Sequence, residues 1–379
     1  MTDSANKTRR NVLDLVQPHI LGLDAYEPVD PPEVLAQQAG IPESEIIKVN
    51  GNENPYGPSP RVVTKLGTLH RVHLYPDPRQ TAMRESVSRF LAGMGQEGIG
   101  PEHIVVGNGS DEIIDLLFRA LLAPDDAIVN CTPTFGMYSF SAHVCGGRTI
   151  SVNRGPAFEV DVDAVLSAAA TDKVKIIVIA SPNNPTGNSI PMRDVERLLD
   201  SGPLVMVDEA YVEFDGTSVA PLLARHPNLV VLRTLSKWAG LAGMRVGYGI
   251  MAPELADVLM KAKPPYNVSQ ASEAALLVSL EDADDLLGKV RLIVQERERT
   301  RELLGKLPGV TPWPSDANFL LCRVPDGQGR AVYEGMARRG VFVRYYGSQA
   351  LRDFVRVSIG TPEQTERIVR AFAESLDDA

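Results

Sequence analysis

The chain has little cysteine and no long apolar run, and each absence excludes a class of protein. Its three cysteines, Cys131, Cys145 and Cys322, have neither CxxC nor Cys/His ligand spacing. An odd number of dispersed cysteines argues against a disulfide scaffold or a zinc site and favours free thiols in a reducing compartment. No stretch reaches the roughly 18 apolar residues that span a bilayer, and residues 1–20 lack the apolar centre of a signal peptide. We therefore expect a cytoplasmic protein without membrane contact or bound metal.

Positive charge is also scarce. Lys and Arg number 38 against 48 Asp and Glu, giving a net charge of −10, and no dense basic run occurs. This balance argues against nucleic acid as a partner. Hydrophobic residues at 44% and charged residues at 23% are typical of a globular protein, and a length of 379 residues favours two domains.

Between about residues 100 and 250, short β-branched runs alternate with amphipathic segments. Such alternation is typical of the α/β class. Runs such as VKIIVIA (174–180) and LVVLRTLSK (229–237) are too short for a helix and largely apolar. They predict strands that are buried on both faces of a mostly parallel sheet.

After Tyr266 the pattern changes to long helical stretches that lead into three further strands, of which VFVRYY (341–346) is the second. Fewer strands separated by helices predict a smaller α+β domain. The division we predict is an N-terminal arm that joins the small domain, a large domain and a small C-terminal domain, at residues 1–48, 49–270 and 271–379.

The segment TLSKWAGLAGMRVGYG (234–249) places Lys237 just after an apolar run and before glycine-punctuated steps to Arg245. A lysine at the mouth of a buried sheet, near another cation, has its ammonium form disfavoured. The resulting amine is a nucleophile that can form a Schiff base with an aldehyde. The alternative is a strand-end lysine whose stem packs on apolar surface while its head stays in water.

Two polar segments follow other apolar runs upstream. VMVDEAY places Asp208 at the end of one run and Tyr211 three positions later, and SPNNPTG places Asn184 in a proline-stiffened turn. A carboxylate there can keep a pyridine nitrogen protonated, while the phenol and the amide can donate to a ring oxygen. Alternatively, Asp208 caps the following segment, and an Asn-Pro pair by itself marks only a turn.

GNGSDE (107–112) lies between a predicted strand and a predicted helix. It is neither a dinucleotide fingerprint, because Glu112 replaces the third glycine, nor a Walker loop. Backbone N–H groups and the Ser110 hydroxyl at a helix start suit a single phosphate, although Ser and Asp also cap helices. Phe135, in CTPTFGMY, offers a flat face on which an aromatic ring can stack, or it belongs to the core.

These segments, in this order and each at a predicted strand end, are jointly more specific than any one of them. The chain resembles the fold-type I pyridoxal-phosphate aminotransferases, and in particular the histidinol-phosphate aminotransferases, over about residues 46–360. The strings that carry the resemblance are ENPYGPSP, YPDP, NGSDE, TPTFGMY, SPNNPTG, DEAY, TLSK and AGMRVGYG.

The resemblance implies an α/β fold whose large domain holds a mostly parallel seven-stranded sheet between helices, beside a smaller α+β domain. It implies pyridoxal 5'-phosphate as cofactor and histidine biosynthesis as the pathway. The implied reaction exchanges an amino group between L-histidinol phosphate and 2-oxoglutarate, giving imidazole acetol phosphate and glutamate.

The resemblance also implies roles for individual residues. Lys237 would bind the cofactor covalently and move the proton, Asp208 would pair with the pyridine nitrogen, and Tyr211 would hydrogen-bond the ring oxygen. Tyr75 matches a tyrosine that reaches the phosphate across a subunit boundary, which implies a homodimer. The residues implied around the cofactor within one chain are Gly109, Ser110, Asp111, Phe135, Asn184, Asp208, Tyr211, Thr234, Ser236, Lys237 and Arg245.

Substrate recognition rests on three residues. Arg356, in FVRVSIG, resembles an arginine that grips a substrate carboxylate or phosphate with two hydrogen bonds, and Arg344, in VRYYG, resembles a second anion contact. Both could instead be outward-facing residues of alternating strands. Tyr26 stands where the family often has a Pro-Tyr pair against the substrate, but Ala25 precedes it here.

Three rival functions share the scaffold. An aromatic amino acid aminotransferase would keep the same cofactor residues, and a phosphothreonine decarboxylase would control a different bond. PPYNVS (264–269) is nearer the aminotransferase pattern than that of the decarboxylase. The sensor domain of a transcriptional regulator would need a DNA-binding domain ahead of it, and no basic helix precedes the large domain here.

Overall fold

The computed structural model describes residues 11–25, 28–171 and 173–378. In chain order its strands are β1 (Ile47–Lys48), β2 (Ile104–Gly107), β3 (Ala127–Thr132), β4 (Arg148–Asn153), β5 (Val174–Ala180), β6 (Leu204–Asp208), β7 (Leu229–Thr234), β8 (Gly247–Met251), β9 (Thr311–Pro312), β10 (Phe319–Arg323), β11 (Val341–Phe342), β12 (Arg344–Tyr345) and β13 (Phe354–Ser358).

The α-helices are α1 (Pro18–Leu21), α2 (Pro32–Ala39), α3 (Pro60–Gly67), α4 (Thr81–Gly93), α5 (Gly109–Leu121), α6 (Met137–Val144), α7 (Val162–Ala169), α8 (Met192–Leu199), α9 (Val212–Asp215), α10 (Pro253–Ala262), α11 (Gln270–Glu281), α12 (Ala283–Leu304), α13 (Gly329–Arg338) and α14 (Pro362–Asp377). None of the described helices is long and apolar enough to cross a membrane.

A seven-stranded sheet in the order β2-β8-β7-β6-β5-β3-β4 forms the centre of the large domain. Neighbours from β4 to β7 pair in parallel, and β8 is antiparallel to both β7 and β2. The inner strands are buried nearly throughout, whereas the edge strand β4 contains only exposed and half-buried residues. The prediction of a mostly parallel α/β sheet is confirmed.

Two core clusters lie on the two faces of this sheet. Side chains alternate across a strand, so Ile104 and Val106 of β2 join one cluster while Val105 joins the other. Helices such as α5 pack their apolar stripe on the second cluster, for example through Ile113. Cys131 lies in the first cluster, where burial raises its thiol pKa to about 11.

A smaller antiparallel sheet, in the order β12-β13-β10-β9, forms the C-terminal part with α12, α13 and α14. The expected single strand over 341–346 is wrong. Residues 341–342 pair in parallel with β1, whereas residues 344–345 pair with β13 in the other sheet. The chain changes partner at the buried Val343, so one apolar run becomes two strands.

Strand β1, at the end of the predicted N-terminal arm, pairs in parallel with β11. The domain boundaries at residues 48 and 270 stay a prediction. The long helix α12 begins at Ala283 and contacts strands β9 and β10 of the small sheet, which is consistent with a boundary a short distance before it.

Candidate functional site

A cavity of about 820 Å³ lies at the carboxyl ends of the parallel strands. In open α/β sheets this edge is where ligands bind, because the loops that follow the strands converge there. Strands β5, β6 and β7 end at Ala180, Asp208 and Thr234, and all three residues line the cavity. The smaller part and the arm contribute the remaining wall through Pro28, Val29, Arg344, Tyr346 and Arg356.

Lys237 reaches the cavity from the segment that follows β7. Its Nζ donates to the Gly51 carbonyl at 3.2 Å and lies 5.9 Å from the centroid of the Tyr211 ring. Burial first, and then the charge of Arg356, lower the pKa of this amine from 10.5 to about 8. A sizeable fraction is therefore neutral, and hence nucleophilic, near physiological pH.

Asp208 is the last residue of β6 and is buried. Its Oδ2 accepts a hydrogen bond from the Tyr138 hydroxyl at 2.6 Å, and its Oδ1 accepts one from the Ala210 N–H at 3.0 Å. Burial raises the carboxyl pKa to about 6, although both hydrogen bonds favour the anion. The group is thus an anion at neutral pH, held in a fixed orientation at the cavity wall.

Tyr211 follows β6 by three residues, and its ring packs edge-on against Phe319 with centroids 5.2 Å apart. Its hydroxyl accepts a hydrogen bond from Asn52 Nδ2 at 2.9 Å. Burial raises the phenol pKa to about 12. The phenol therefore keeps its proton at neutral pH and can act as a hydrogen-bond donor.

One end of the cavity gathers hydroxyl, guanidinium and helix-start groups. Arg245 Nη2 donates to Asp111 Oδ2 at 2.8 Å, and its Nη1 approaches Ser236 Oγ at 3.5 Å. Thr234 Oγ1 donates to Ser236 Oγ at 2.9 Å. Ser110 lines the cavity in the first turn of α5, where N–H groups lack helical partners.

Gly109, the first residue of α5, touches this end through its backbone. Its N–H donates to the Arg245 carbonyl at 3.0 Å, and its φ of +71° is the left-handed conformation that favours glycine. A Cβ at this position would lie 2.7 Å from Arg245 Nη2. Gly109 is not among the described residues that line the cavity.

Arg356, in β13, is buried rather than facing outward, so the alternative interpretation of this residue is wrong. Its Nη1 donates to Asn184 Oδ1 at 2.5 Å and its Nη2 to the Asn50 carbonyl at 2.5 Å. Within the described residues its buried Nε has no partner. Because the Asn184 amide oxygen is engaged, its Nδ2 remains a donor.

Phe135 and Arg344 also line the cavity. The Phe135 ring meets the Tyr138 ring edge-on at 5.5 Å, which leaves Phe135 as part of the wall near Asp208. Arg344 pairs with Arg356 across β12 and β13, and its guanidinium lies 5.8 Å from the Tyr346 ring centroid.

Tyr75 does not line the cavity of its own chain. Tyr75 is 78% exposed and stacks on Tyr266 with ring centroids 4.2 Å apart. A residue expected to act across a subunit boundary need not enter the site of its own chain. Tyr26 lies outside the residues that the structure describes.

Two residues of the site, Asn52 and Tyr138, are not predicted from the sequence. Asn52 stands in NGNENP beside a glycine, and Tyr138 stands in the same CTPTFGMY segment as Phe135. Both motifs were visible, but the partners are remote: Asn52 contacts a residue 159 positions away, and Tyr138 contacts one 70 positions away.

The sequence pattern of class I and II aminotransferases matches residues 44–372. The chain belongs to this family. The cavity of this aminotransferase holds an amine of lowered pKa, and among the described residues four cationic side chains line it against two carboxylates. That excess of positive charge suits anionic ligands.

Individual relatives of the aminotransferase cover almost its whole length. The histidinol-phosphate aminotransferase of Roseiflexus castenholzii is 46% identical over 372 residues, which is 96% of this chain and 99% of that protein. The chloroplastic histidinol-phosphate aminotransferase of Nicotiana tabacum is 42% identical and covers 98% and 89% of the two chains.

A similar solved structure is that of the Sinorhizobium meliloti histidinol-phosphate aminotransferase in complex with pyridoxal-5'-phosphate. It aligns with a TM-score of 0.86 at 25% identity and covers 96% of this chain and 98% of that chain.

Proposed function

We propose that this aminotransferase exchanges an amino group between L-histidinol phosphate and 2-oxoglutarate in histidine biosynthesis, with pyridoxal 5'-phosphate as cofactor. The names of its relatives support the substrate and pathway. The observation that carries the proposal is that Lys237 and Asp208 line one cavity in which, within the described part of the chain, cations outnumber carboxylates. When bound, the cofactor supplies an aldehyde that reacts with amines and a ring that accepts electrons from the substrate carbon.

The polar groups that line the cavity match the charged and polar parts of this cofactor in chemical type. The Ser110, Thr234 and Ser236 hydroxyls and the Arg245 guanidinium would hold the phosphate, aided by the N-terminus of α5. The buried Asp208 carboxylate, which also lines the cavity, would keep the pyridine nitrogen protonated, because an adjacent anion favours the cationic form of a base.

Tyr211 and Asn184 also line the cavity, and each would offer a donor to the ring oxygen. Tyr211 keeps its proton because burial raises its pKa to about 12, and Asn184 presents Nδ2 because Arg356 occupies its Oδ1. Phe135 would cover one ring face by stacking.

Lys237 would bind the cofactor and then act as the general base and acid. Because its pKa is lowered to about 8, the amine is mostly neutral at a pH above that value. A neutral amine can attack a carbonyl carbon and can remove a proton from the substrate carbon. The Gly51 carbonyl holds Nζ at 3.2 Å, so the amine has a defined position in the cavity.

Arg356 would bind the substrate anion, with Arg344 as the second contact. Arg356 is fixed by Asn184 and the Asn50 carbonyl while its Nε is unpartnered within the described residues, so a donor remains for a ligand. A guanidinium can donate two parallel hydrogen bonds to a carboxylate or to a phosphate, with similar geometry in both cases. One site could therefore serve histidinol phosphate, which carries a phosphate, and glutamate, which carries carboxylates. We keep Tyr26 as a third predicted contact.

We further propose a homodimer in which Tyr75 reaches the phosphate of the partner's site. Tyr75 and the neighbouring Val72 and Leu74 are exposed, and this grouping of exposed apolar side chains supports a contact surface here. The stack on Tyr266 holds the Tyr75 ring without burying it. A cytoplasmic location stays a prediction.

A substrate panel tests the reaction. The purified holoenzyme is supplied with histidinol phosphate, phenylalanine or phosphothreonine, each with 2-oxoglutarate, while glutamate formation and carbon dioxide release are followed. We expect glutamate formation to be fastest with histidinol phosphate. Faster turnover of phenylalanine would indicate an aromatic amino acid aminotransferase, and carbon dioxide from phosphothreonine would indicate a decarboxylase.

Borohydride reduction tests the role of Lys237. Reduced holoenzyme should carry the cofactor on the peptide that contains Lys237, and Lys237→Ala should fold as a dimer without a covalent adduct or transaminase activity. A tag on another lysine, or full activity of Lys237→Ala, would contradict the assignment.

A further inference from the structure

We propose that Asn52 is a positioning residue that directs the hydroxyl proton of Tyr211 toward the ring oxygen of the cofactor. This inference rests on the proposed function. Asn52 is 1% exposed and lines the cavity beside Tyr211. It belongs to none of the strands or helices, so its contacts define its place.

The hydrogen bond between Asn52 and Tyr211 has a fixed direction. An amide Nδ2 can only donate, so the Tyr211 oxygen accepts the 2.9 Å bond with a lone pair. A phenol carries one proton, and that proton is then left for a different acceptor. Accepting a bond also polarises a hydroxyl and makes it a better donor. Asn52 therefore prepares Tyr211 to donate into the cavity.

Ser358 determines which way the Asn52 amide faces. The buried Ser358 Oγ accepts from the Asn52 N–H at 3.0 Å and donates to Asn52 Oδ1 at 2.8 Å. If the Asn52 amide were flipped, its Nδ2 would face Ser358, and the Ser358 hydroxyl proton would lose Oδ1 as its acceptor. The buried proton would then be unsatisfied, which is costly. Ser358 thus holds Oδ1 on itself and Nδ2 on Tyr211.

The backbone of Asn52 is held in the same place. Its φ of +53° is the left-handed conformation that asparagine tolerates better than most residues, and its carbonyl accepts from Asn318 Nδ2 at 3.0 Å. The two preceding carbonyls contact the site directly, since Asn50 accepts from Arg356 and Gly51 from Lys237. One segment therefore orients three groups of the cavity.

A pH titration of the holoenzyme absorbance reports the apparent pKa of the covalent linkage between Lys237 and the cofactor. Asn52→Gly removes the amide while glycine accepts the positive φ. A weaker donor leaves more negative charge on the ring oxygen, which retains the linkage proton. We expect an upward shift of about half a pH unit or more. Tyr211→Phe should shift the value further, and the double variant should match Tyr211→Phe alone.

The matched control is Asn54→Ala. Asn54 is a buried asparagine of the same segment, but its Nδ2 donates to the Trp238 carbonyl rather than to Tyr211, so its titration should match the wild type. Ser358→Ala frees the Asn52 amide without changing the backbone and should shift the pKa in the same direction as Asn52→Gly. It provides the test if Asn52→Gly does not fold.

Three results would overturn the inference. These are a wild-type titration in Asn52→Gly, a wild-type titration in Ser358→Ala where that variant provides the test, and additive shifts in the double variant, because additivity means that Asn52 does not act through Tyr211. If the wild-type enzyme yields no borohydride adduct on Lys237, the proposed function fails together with the inference. If the adduct forms and the titrations do not move, only the inference fails.

Discussion

At the residue scale, burial moves the pKa values of Lys237 and Asp208 in opposite directions. It lowers the pKa of the lysine to about 8 and raises that of the aspartate to about 6, because it disfavours the charged form of each. At a pH between these two pKa values Asp208 is mostly an anion, while the neutral fraction of Lys237 grows as the pH rises. The pair is thus suited to hold a cation with one group and to supply a nucleophile with the other.

Asp208→Asn should retain the cofactor and lose most turnover. The amide keeps the size of the side chain but removes the negative charge that would keep the pyridine nitrogen protonated. We expect kcat to fall by on the order of a hundredfold, measured in the steady state with cofactor occupancy checked by absorbance. Asp126→Asn is the control, since Asp126 is also buried but precedes β3 at the opposite end of the sheet. A near-normal kcat of Asp208→Asn would show that Asp208 does not keep the pyridine nitrogen protonated.

The lowered pKa of Lys237 predicts a pH dependence of stability in the cofactor-free protein. Between about pH 8 and pH 10.5 the folded chain has lost the Lys237 proton, whereas the unfolded chain still binds it. Stability rises with pH wherever the unfolded state binds more protons. The unfolding free energy of the wild type should therefore rise relative to that of Lys237→Met across this window, as measured by urea unfolding. A constant difference would mean that the amine is not perturbed.

At the element scale, the start of α5 and the segment before β8 form the proposed phosphate end together. The Gly109 N–H donates to the Arg245 carbonyl, and Arg245 reaches back to Asp111 in the first turn of the helix. The positive φ of Gly109 lets the chain enter the helix at this point. The arrangement of the proposed phosphate-binding groups therefore depends on how these two elements meet as well as on the side chains themselves.

Gly109→Ala should weaken cofactor binding more than it weakens the fold. The new Cβ would displace the Arg245 guanidinium. The alanine backbone would also have to adopt an unfavourable positive φ, at a cost of about 1–2 kcal/mol. We expect the cofactor dissociation constant to rise about tenfold, measured by fluorescence titration of the cofactor-free protein. Gly95→Ala also changes a glycine of positive φ, but with open space around it, and should change stability alone. Equal effects of the two variants on cofactor binding would refute the steric argument.

At the scale of the whole molecule, the cavity closes only where several parts of the chain meet. The large sheet supplies Asp208 and the region after β7 supplies Lys237, while Arg356 comes from the small sheet. Tyr75 remains at the surface, and its role in a partner's site stays a proposal.

Complementation tests the shared site. Tyr75→Ala and Lys237→Ala are each expected to impair activity as homodimers. In a mixed dimer, one site combines Lys237 from one chain with Tyr75 from the other and is intact. Random mixing should recover about a quarter of the wild-type activity if the inactive background is low. The control is mixing without subunit exchange, and no recovery after confirmed exchange would place Tyr75 outside the partner's site.

The sequence by itself determined the large sheet and the residues at its strand ends. Apolar runs such as VKIIVIA coincide with β5, because a strand buried on both faces needs apolar side chains throughout. Lys237, Asp208 and Asn184 were identified because each follows such a run. The break at Val343 was not, because one apolar run gives no sign that its halves pair with different sheets.

Only the tertiary structure decided which remote groups orient these residues. Tyr138 donates to Asp208 and Asn52 donates to Tyr211, across 70 and 159 residues of chain. A strand pattern also allows Arg356 to face outward, and its burial follows from the packing of the small sheet against the cavity. Hydrogen bonds depend on distance and direction between atoms. A linear pattern fixes neither for residues far apart, so the strand ends are readable from the sequence while their partners are not.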